Sequence, residues 1–211
     1  MKNIFFIYLF LFFYSDLISQ SPNVDTIIKN EIYKSYFDID IKQPLQLSYV
    51  LHKGGGDCNR SKFRFINDTK IPTATIKEYA KSGFDMGHLA NAEDFAFDCR
   101  KDELTFRFYN CLPQYPNLNR GIWKKWESKI REESQTDSLL IICGATFSNK
   151  KTSTNLVVPD FCYKIVKSLI TDEIKYVLWF KNIDKESESF LEILTVEELE
   201  RRLGFKIDFT F

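Results

Sequence analysis

Stretches of apolar and polar residues along the chain predict a set of β-strands. Leu45 to Leu51 is rich in apolar, β-branched and aromatic residues, and three consecutive glycines follow shortly after it. Leu104 to Tyr109 alternates in the manner of a strand. Leu139 to Phe147 is typical of a buried strand, and Tyr163 to Ile170 and Lys175 to Phe180 are the arms of a predicted hairpin.

A change of period after Asn117 predicts a helix. Ile122, Trp126 and Ile130 recur at the spacing of one helical face, and Trp123 lies beside them. The pattern therefore indicates one amphipathic helix of about four turns.

A second helix is predicted near the end of the sequence. Thr195 followed by Glu198 has the spacing of a capping box. Leu199 and Leu203 supply an apolar stripe, and Gly204 is a suitable stop signal.

The stretch from Tyr79 to Ala92 is predicted to be non-helical. It contains Gly83 and Gly87, and a glycine costs about 1 kcal/mol inside a helix. A strand end and a loop suit this stretch better, so His88 is expected on non-helical backbone.

Composition indicates a globular chain of mixed class. The 211 residues suffice for one domain with a sizeable core, and 44% hydrophobic and 16% aromatic residues exclude the composition of a disordered chain. We expect a single domain over residues 21–211 that combines helices and strands.

Charge is balanced over the whole chain but uneven along it. The 29 basic and 29 acidic residues cancel, so the total charge does not by itself indicate a nucleic-acid partner. Lys53 to Lys81 carries seven basic residues against three acidic ones, and Arg120 to Arg131 carries five against one. Taken singly, each stretch is most simply interpreted as a solvated face.

The N-terminus has the pattern of an export signal. Lys2 precedes an apolar run from Ile4 to Tyr14, and small and polar residues follow through Ser21. The run is shorter than the roughly 20 apolar residues of a transmembrane helix, although an uncleaved anchor is an alternative. Residues 1–20 are therefore predicted to be a signal peptide. The mature protein is expected to be secreted or periplasmic, without stable membrane association.

Five cysteines in an exported chain favour disulfides, but the odd number leaves at least one thiol free or paired between chains. Cys143 is the predicted free thiol, because it lies in an apolar strand where a thiol behaves as a small hydrophobe. The other four, Cys58, Cys99, Cys111 and Cys162, allow three pairings that the sequence does not rank.

Three short motifs follow one another in the middle of the chain. They are Asp85-Met86-Gly87-His88, then Asn110-Cys111-Leu112-Pro113-Gln114, and then Leu118-Asn119-Arg120-Gly121-Ile122-Trp123 with Glu127 after it. In order and spacing this set resembles the DNA/RNA non-specific endonuclease family of ββα-metal nucleases. A single four-residue match is weak evidence, whereas three linked motifs in register are specific. Weaker likeness extends from about Leu47 to Asp208.

The resemblance implies a fold, an activity and a cofactor. The fold is α+β, with a central, mostly antiparallel sheet flanked by helices and a ββα-metal, or His-Me finger, active site. The activity is hydrolysis of phosphodiester bonds within DNA and RNA, through contacts chiefly to backbone phosphates, which carry little sequence information. The cofactor is Mg²⁺, for which Mn²⁺ is a substitute.

Phosphodiester hydrolysis needs a base for the attacking water, a cation for the developing negative charge, and groups that align the two. The resemblance implies that His88 is the base, and an ordinary imidazole is largely neutral at pH 7. It implies that Asn119 binds the metal through its amide oxygen, which suits an ion that keeps most of its waters. Glu127 lies about 12 Å further along the predicted helix, and it is expected to contact the ion through water.

Three further site residues come from the resemblance. Asp85 is expected to orient His88 or its loop by hydrogen bonding, and Asn110 to steady the site from a strand end. For the arginine that the family places on the scissile phosphate, Arg60 is the match and Arg64 the near alternative. Either guanidinium offers two parallel donors to phosphate oxygens.

Met86 departs from the family pattern, which has arginine at this position. A thioether carries no charge and donates no hydrogen bond, so one phosphate contact is missing unless another basic residue replaces it. An active enzyme is still predicted, because the base and the metal ligand are present. The main alternative is a catalytically weakened, secreted nucleic-acid-binding protein of the same fold. A secreted binding module unrelated to nucleases would require all three motifs to match by chance.

Overall fold

The computed structural model describes residues 22, 24–67, 70–184 and 191–211, with only the backbone at Asn149. The predicted signal peptide, residues 1–20, lies outside the described residues. Within the described ranges, no helix is long and apolar enough to cross a membrane.

A seven-stranded antiparallel sheet forms the centre of the fold, in the spatial order β1-β2-β3-β6-β7-β8-β9. Its strands are β1 (Thr26–Lys29), β2 (Lys34–Asp38), β3 (Gln43–His52), β6 (Ser138–Lys151), β7 (Val157–Ser168), β8 (Ile174–Lys181) and β9 (Leu191–Ile193). The strand predictions at Leu45 to Leu51 and at Leu139 to Phe147 are confirmed within β3 and β6, and the predicted hairpin is confirmed as β7 and β8.

A separate two-stranded ribbon pairs β4 (Asp85–His88) with β5 (Cys111–Gln114). The helices are α1 (Ile76–Tyr79), α2 (Cys99–Leu104), α3 (Lys124–Glu133) and α4 (Val196–Leu203), with 3-10 turns at Ala92–Phe95 and Phe108–Asn110 and a wide, π-type turn at Leu118–Trp123. The predicted α+β class with a mostly antiparallel sheet is confirmed.

Both faces of the large sheet are buried, which explains the near-continuous apolar runs in its strands. On β6, Leu139 and Ile141 belong to one core cluster, while Leu140 and Ile142 belong to another. The first cluster also contains residues of β5 and α3, and the second contains Leu199 of α4. The β4–β5 ribbon and α3 therefore lie on one face of a sheet that α4 supports from the other.

The last helix has the predicted ends. The Thr195 hydroxyl accepts a hydrogen bond from the Glu198 N–H, and the Glu198 carboxylate accepts one from the Thr195 N–H, which completes the capping box. Gly204 has a φ of 76° and its N–H donates to the Glu200 carbonyl, a left-handed C-terminal cap that glycine adopts without steric cost.

The strand predicted over Leu104 to Tyr109 is wrong. The Asp98 side chain caps the N-terminus of α2, and the chain turns after this helix. Thr105 and Phe108 are both fully buried, so odd and even positions alike face the interior and the alternation does not reflect two faces of a strand. The strand begins only at Cys111.

Among the described residues there is one disulfide, Cys58–Cys99, and three free, buried thiols, Cys111, Cys143 and Cys162. The prediction that Cys143 is free is confirmed. The disulfide ties the basic segment after β3 to the first residue of α2.

Candidate active site

The two-stranded ribbon presents the first motif. Asp85 lies opposite Gln114, and His88 lies opposite Cys111. The Gln114 side chain fills the space in which a Cβ atom on Gly87 would stand. Glycine is therefore required here for close approach, and His88 lies on non-helical backbone as predicted.

The His88 ring packs against two phenylalanine rings that also contact each other. Its centroid is 4.8 Å from that of Phe65 and 4.9 Å from that of Phe106. Its Nε2 atom is buried without a hydrogen-bond partner in the described part of the chain. Burial, assisted by the positive charge of Arg60, lowers the pKa of His88 from 6.5 to about 4. The imidazole is therefore neutral at pH 7.

Asp85, Asn119 and Arg120 form a hydrogen-bonded cluster at the other end of β4. Asn119 Nδ2 donates to Asp85 Oδ2 at 3.0 Å, and the Arg120 guanidinium donates to both Asp85 oxygens at 2.7 and 2.6 Å. Burial alone would raise the pKa of Asp85, but the hydrogen bonds from Arg120 and Asn119 lower it below its usual value. The structure thus places an ionised Asp85 against Asn119 and Arg120, not against His88.

The backbone breaks at Gly121, which has φ −99° and ψ −112°. Asn119 lies in the wide turn before the break, and the regular helix α3 begins only at Lys124. The single helix of about four turns predicted after Asn117 is therefore wrong in its first part. Asn119 and Glu127 do not share one regular helix, so the axial separation expected from helical geometry does not apply.

Asn110 is buried and braces the segment that follows His88. Its Oδ1 accepts from the Ala90 N–H at 2.8 Å, and its Nδ2 donates to the carbonyls of Ala90 at 3.0 Å and Thr105 at 2.8 Å. Its carbonyl accepts from the Leu89 N–H at 2.9 Å. These bonds fix the backbone that carries His88, at the point where β5 begins.

Glu127 is only 8% exposed. Its carboxylate lies 3.9 Å from Lys164 Nζ. Burial raises the pKa of Glu127 to about 7, against the opposing effect of Lys164. The carboxylate therefore faces the interior beside the loop that follows His88.

Arg60 and Arg64 occupy different surroundings. Arg60 forms ion pairs with Glu93 and with the buried Asp102, the latter at 3.3 Å. Its charge nevertheless contributes to the low pKa of His88. Arg64 is exposed and donates to two backbone carbonyls of its own loop. Of the two arginines, only Arg60 is among the causes of the low pKa of His88.

Met86 is half-buried in an apolar cluster with Phe65 and Phe108. Because alternate residues of a strand point to the same side, Met86 shares its side of β4 with His88. The position that the family gives to arginine is therefore occupied by an apolar side chain that packs inward.

Asn182, which the sequence interpretation did not single out, joins the ribbon to the large sheet. Its Nδ2 donates to the carbonyls of Pro113 at 3.0 Å and Pro159 at 2.9 Å, and its Oδ1 accepts from the Tyr115 N–H at 3.0 Å. No sequence signal marked this residue, which directly follows the end of β8.

Lys164 was also missed, although it is a lysine flanked by apolar residues in a buried strand. It is 1% exposed, and its Nζ lies 4.4 Å from the ring centroid of Trp123. A buried ammonium group requires compensation by charge or by an aromatic face, and Glu127 and Trp123 supply both.

The polar groups around Asn119 fit a hard divalent cation. The Asn119 Nδ2 atom donates a hydrogen bond to Asp85. The other polar atom of the amide, Oδ1, is an oxygen of the type that Mg²⁺ prefers. In the described ranges, no three His, Cys, Asp or Glu side chains form a group that could hold a metal ion. The fit therefore rests on the Asn119 oxygen beside the ionised Asp85 carboxylate.

Comparison with known sequences places this site in a family context. The profile of the DNA/RNA non-specific endonuclease family matches residues 17–210. Mitochondrial endonuclease G of Bos taurus is 35% identical over 91 residues, which are 42% of this chain and 30% of that protein. A nuclease of Nostoc sp. is 36% identical over 108 residues, 48% of this chain and 39% of that protein. The chain thus spans well under half the length of these relatives.

Comparison with solved structures concerns the fold. A chain in the crystal structure of the EndoG/EndoGI complex matches with a TM-score of 0.76 at 21% identity, over 89% of this chain and 87% of that one. The likeness confirms the predicted architecture.

Proposed function

The chain belongs to the DNA/RNA non-specific endonuclease family, whose profile matches nearly its whole length, and on this premise we propose that it is a magnesium-dependent endonuclease that cuts within DNA and RNA. Family membership supports hydrolase activity on nucleic acids. The secreted location, the individual site residues and the identity of the ion are parts of the proposal.

The state of His88 is the observation that carries the proposal. A neutral imidazole, whose Nε2 has no hydrogen-bond partner among the described residues, lies on the motif strand, with the positive charge of Arg60 near enough to influence it. A general base must be unprotonated and free to accept a proton. A histidine with only a structural role would ordinarily have its buried ring nitrogens hydrogen-bonded.

In the proposed reaction, His88 accepts a proton from the water molecule that attacks phosphorus. The new phosphorus–oxygen bond forms as the bond to the leaving oxygen breaks. Arg60, whose side chain is 32% exposed beside its ion pairs, contacts the phosphate. Asn110 keeps the His88 backbone in place through its three side-chain hydrogen bonds.

The metal site of the proposal is built on Asn119. The amide oxygen would hold Mg²⁺, or Mn²⁺ in its place, and Asp85 would orient that amide through the hydrogen bond to Nδ2. Glu127 would contact the ion through water. When bound, a divalent ion stabilises negative charge on the phosphate and on the leaving oxygen.

The second candidate is a nucleic-acid-binding protein of the same fold with weakened catalysis. One observation favours it: Met86 packs into an apolar cluster and supplies no charge for a phosphate. The neutral His88 and the hydrogen-bonded Asn119 favour the enzyme.

We also propose that the protein is exported. The run from Ile4 to Tyr14 after Lys2 supports this, and so does the Cys58–Cys99 disulfide, because disulfides persist in oxidising compartments. The test is the mass of the mature protein, which should lack about 20 N-terminal residues. An intact N-terminus would favour the uncleaved anchor.

The first test is nicking of supercoiled plasmid, and cleavage of an RNA, by the purified protein with Mg²⁺ or with a chelator. Cleavage is expected only with Mg²⁺, and His88→Ala should slow it by about 10²- to 10⁴-fold, since that is the usual contribution of a general base. The matched control is His52→Ala, which removes the only other histidine in the sequence. Failure of folded wild-type protein to cut either substrate would leave the binding-protein alternative in the lead.

The same assay addresses the metal ligand through Asn119→Ala. This variant should require much more Mg²⁺ for cleavage, while its binding of DNA in chelator stays unchanged. Calorimetric titration with Mn²⁺ should show a corresponding loss of metal binding independent of turnover. Unaltered metal affinity would contradict the assignment of Asn119.

A further inference from the structure

Two aromatic side chains and a lysine meet at the end of the ribbon that carries Asp85. Phe84 directly precedes β4 and Tyr115 directly follows β5, and their ring centroids are 4.4 Å apart. Lys150, near the end of β6, places its Nζ 5.1 Å from the Tyr115 centroid, 6.0 Å from the Phe84 centroid and 3.4 Å from Tyr115 Oη. This group is termed the Phe84–Tyr115–Lys150 platform.

The platform is partly open to solvent. Phe84 and Tyr115 are half-buried, and Lys150 is exposed. Each ring packs against the other and against the lysine, so the rings are held in place while part of their surface remains in contact with water. Apolar ring surface in water is unfavourable by about 25 cal/mol per Å², and a flat ligand that covered it would gain that free energy.

The platform adjoins the candidate metal ligand through the backbone on both sides. The Tyr115 carbonyl accepts a hydrogen bond from the Asn119 N–H at 2.9 Å. Phe84 is the neighbour in sequence of Asp85, whose carboxylate binds the Asn119 side chain. The Arg120 side chain, bound to the same carboxylate, is 72% exposed. Lys150 thus contacts the aromatic pair itself, and Arg120 lies on the adjoining cluster, where it is paired with Asp85.

We propose that the Phe84–Tyr115–Lys150 platform is a subsite for an unpaired nucleotide of the substrate, flanking the phosphate that is cut. The two ring planes are inclined by 50°, so the base stacks on the open surface of one ring, and Lys150 and Arg120 attract the phosphates on either side of it. The inference rests on the proposed function and adds a preference for single-stranded over double-stranded nucleic acid. Stacking of this kind tolerates any base sequence, because every base has a π-face.

Strand selectivity follows from what each substrate gives up on binding. In a duplex every base is already stacked and paired, so placing one on the platform costs the free energy of extruding it. The bases of a single strand are unpaired and only partly stacked, so placing one of them on the platform costs less. The charges of Lys150 and Arg120 act on both substrates, because phosphate attraction does not depend on pairing.

The test is direct binding in chelator, in which no cleavage takes place, with all variants made in the His88→Ala protein. Fluorescence anisotropy compares a labelled single-stranded oligonucleotide with a hairpin duplex of equal phosphate number. The double variant Phe84→Leu/Tyr115→Leu keeps apolar bulk but removes the flat rings. It should weaken single-strand binding about tenfold and duplex binding less than twofold.

Lys150→Gln should act differently from the ring variants. It removes one phosphate contact, so it should weaken binding of both substrates and lower the salt dependence of single-strand binding by about 0.7 in the logarithmic slope. Matched controls come from Trp126, Tyr176 and Lys129, a second group of two rings and a lysine, in which Lys129 Nζ lies 4.6 and 4.5 Å from the ring centroids. Tyr176→Leu and Lys129→Gln should leave strand selectivity unchanged.

The outcomes separate this inference from the proposed function. The platform is overturned if Phe84→Leu/Tyr115→Leu loses affinity equally for both substrates, or loses none. Either result counts even when the wild-type protein cuts with Mg²⁺. A selective loss for the single strand supports the platform even when wild-type protein fails to cut. Circular dichroism checks that each variant is folded. The milder single variant Tyr115→Leu must also lose more affinity for the single strand than for the duplex.

Discussion

The surroundings of His88 explain how a histidine can remain a proton acceptor across the physiological pH range. Phe65 and Phe106 pack against the half-buried ring, its Nε2 atom is buried, and the pKa of His88 falls to about 4. The low pKa ensures the neutral form but makes the imidazole a weaker base. The segment that carries Phe65 therefore sets both the availability and the strength of the proposed base.

We expect His88 to titrate near pH 4 in the folded protein. The experiment is an NMR titration of the imidazole protons, in which His52→Gln assigns the signals of the two histidines in the sequence. Phe65→Ala should raise the pKa of His88 toward 6.5, because burial is the largest cause of the shift. A pKa of His88 near 6.5 in the wild-type protein would contradict the effect of burial on this imidazole.

The same shift links stability to pH. The unfolded chain protonates His88 near pH 6.5 and the folded chain near pH 4, so the unfolded state binds more protons between these values. The contribution to the free energy of unfolding is complete above pH 6.5 and is lost as the pH falls to 4. It amounts to at most about 3.5 kcal/mol at 1.4 kcal/mol per unit, and the stability difference between wild type and His88→Gln should change by most of that amount over this window.

At the scale of secondary structure, the sequence predicted elements whose pattern has one dominant cause. The helix α4 has a capping box, an apolar stripe and a glycine stop that agree with one another. The segment Leu104 to Tyr109 failed because burial on all sides imitates alternation. The helix after Asn117 failed in its first part because the period of Ile122, Trp126 and Ile130 conceals the break at Gly121.

The β4–β5 ribbon gives a prediction about close packing. Gly87→Ala should lower the free energy of unfolding by about 1 to 3 kcal/mol, the usual cost of an overpacked site, because its methyl group would occupy the space of the Gln114 side chain. Urea denaturation measures the loss. Gln114→Ala frees that space, so the double variant should lose less than the two single variants together. Strict additivity would show that the two side chains do not compete for the same space.

At the scale of the whole molecule, the motifs located the candidate site but not its supports. His88, Asn119 and Asn110 were singled out because their short spacings match a family pattern, and their roles stay predictions. Asn182 contacts Tyr115 across 67 positions of sequence, and Lys164 of β7 reaches Glu127 of α3. Such contacts depend on the register of strands far apart in the chain, which a local pattern does not encode.

The Cys58–Cys99 disulfide closes a loop with a sequence separation of 41, and this loop contains both Arg60 and His88. Cross-linking a loop of this length stabilises a fold by about 4 kcal/mol through the lost entropy of the unfolded chain. Cys58→Ser/Cys99→Ser should therefore lower the melting temperature by about 10 °C for a chain of this size. Reductant should lower that of the wild type equally and leave the variant unaffected. Because Arg60 follows Cys58 closely and its charge lowers the pKa of His88, that pKa should rise when the disulfide is removed. A melting temperature insensitive to reductant would show that the disulfide does not constrain the site.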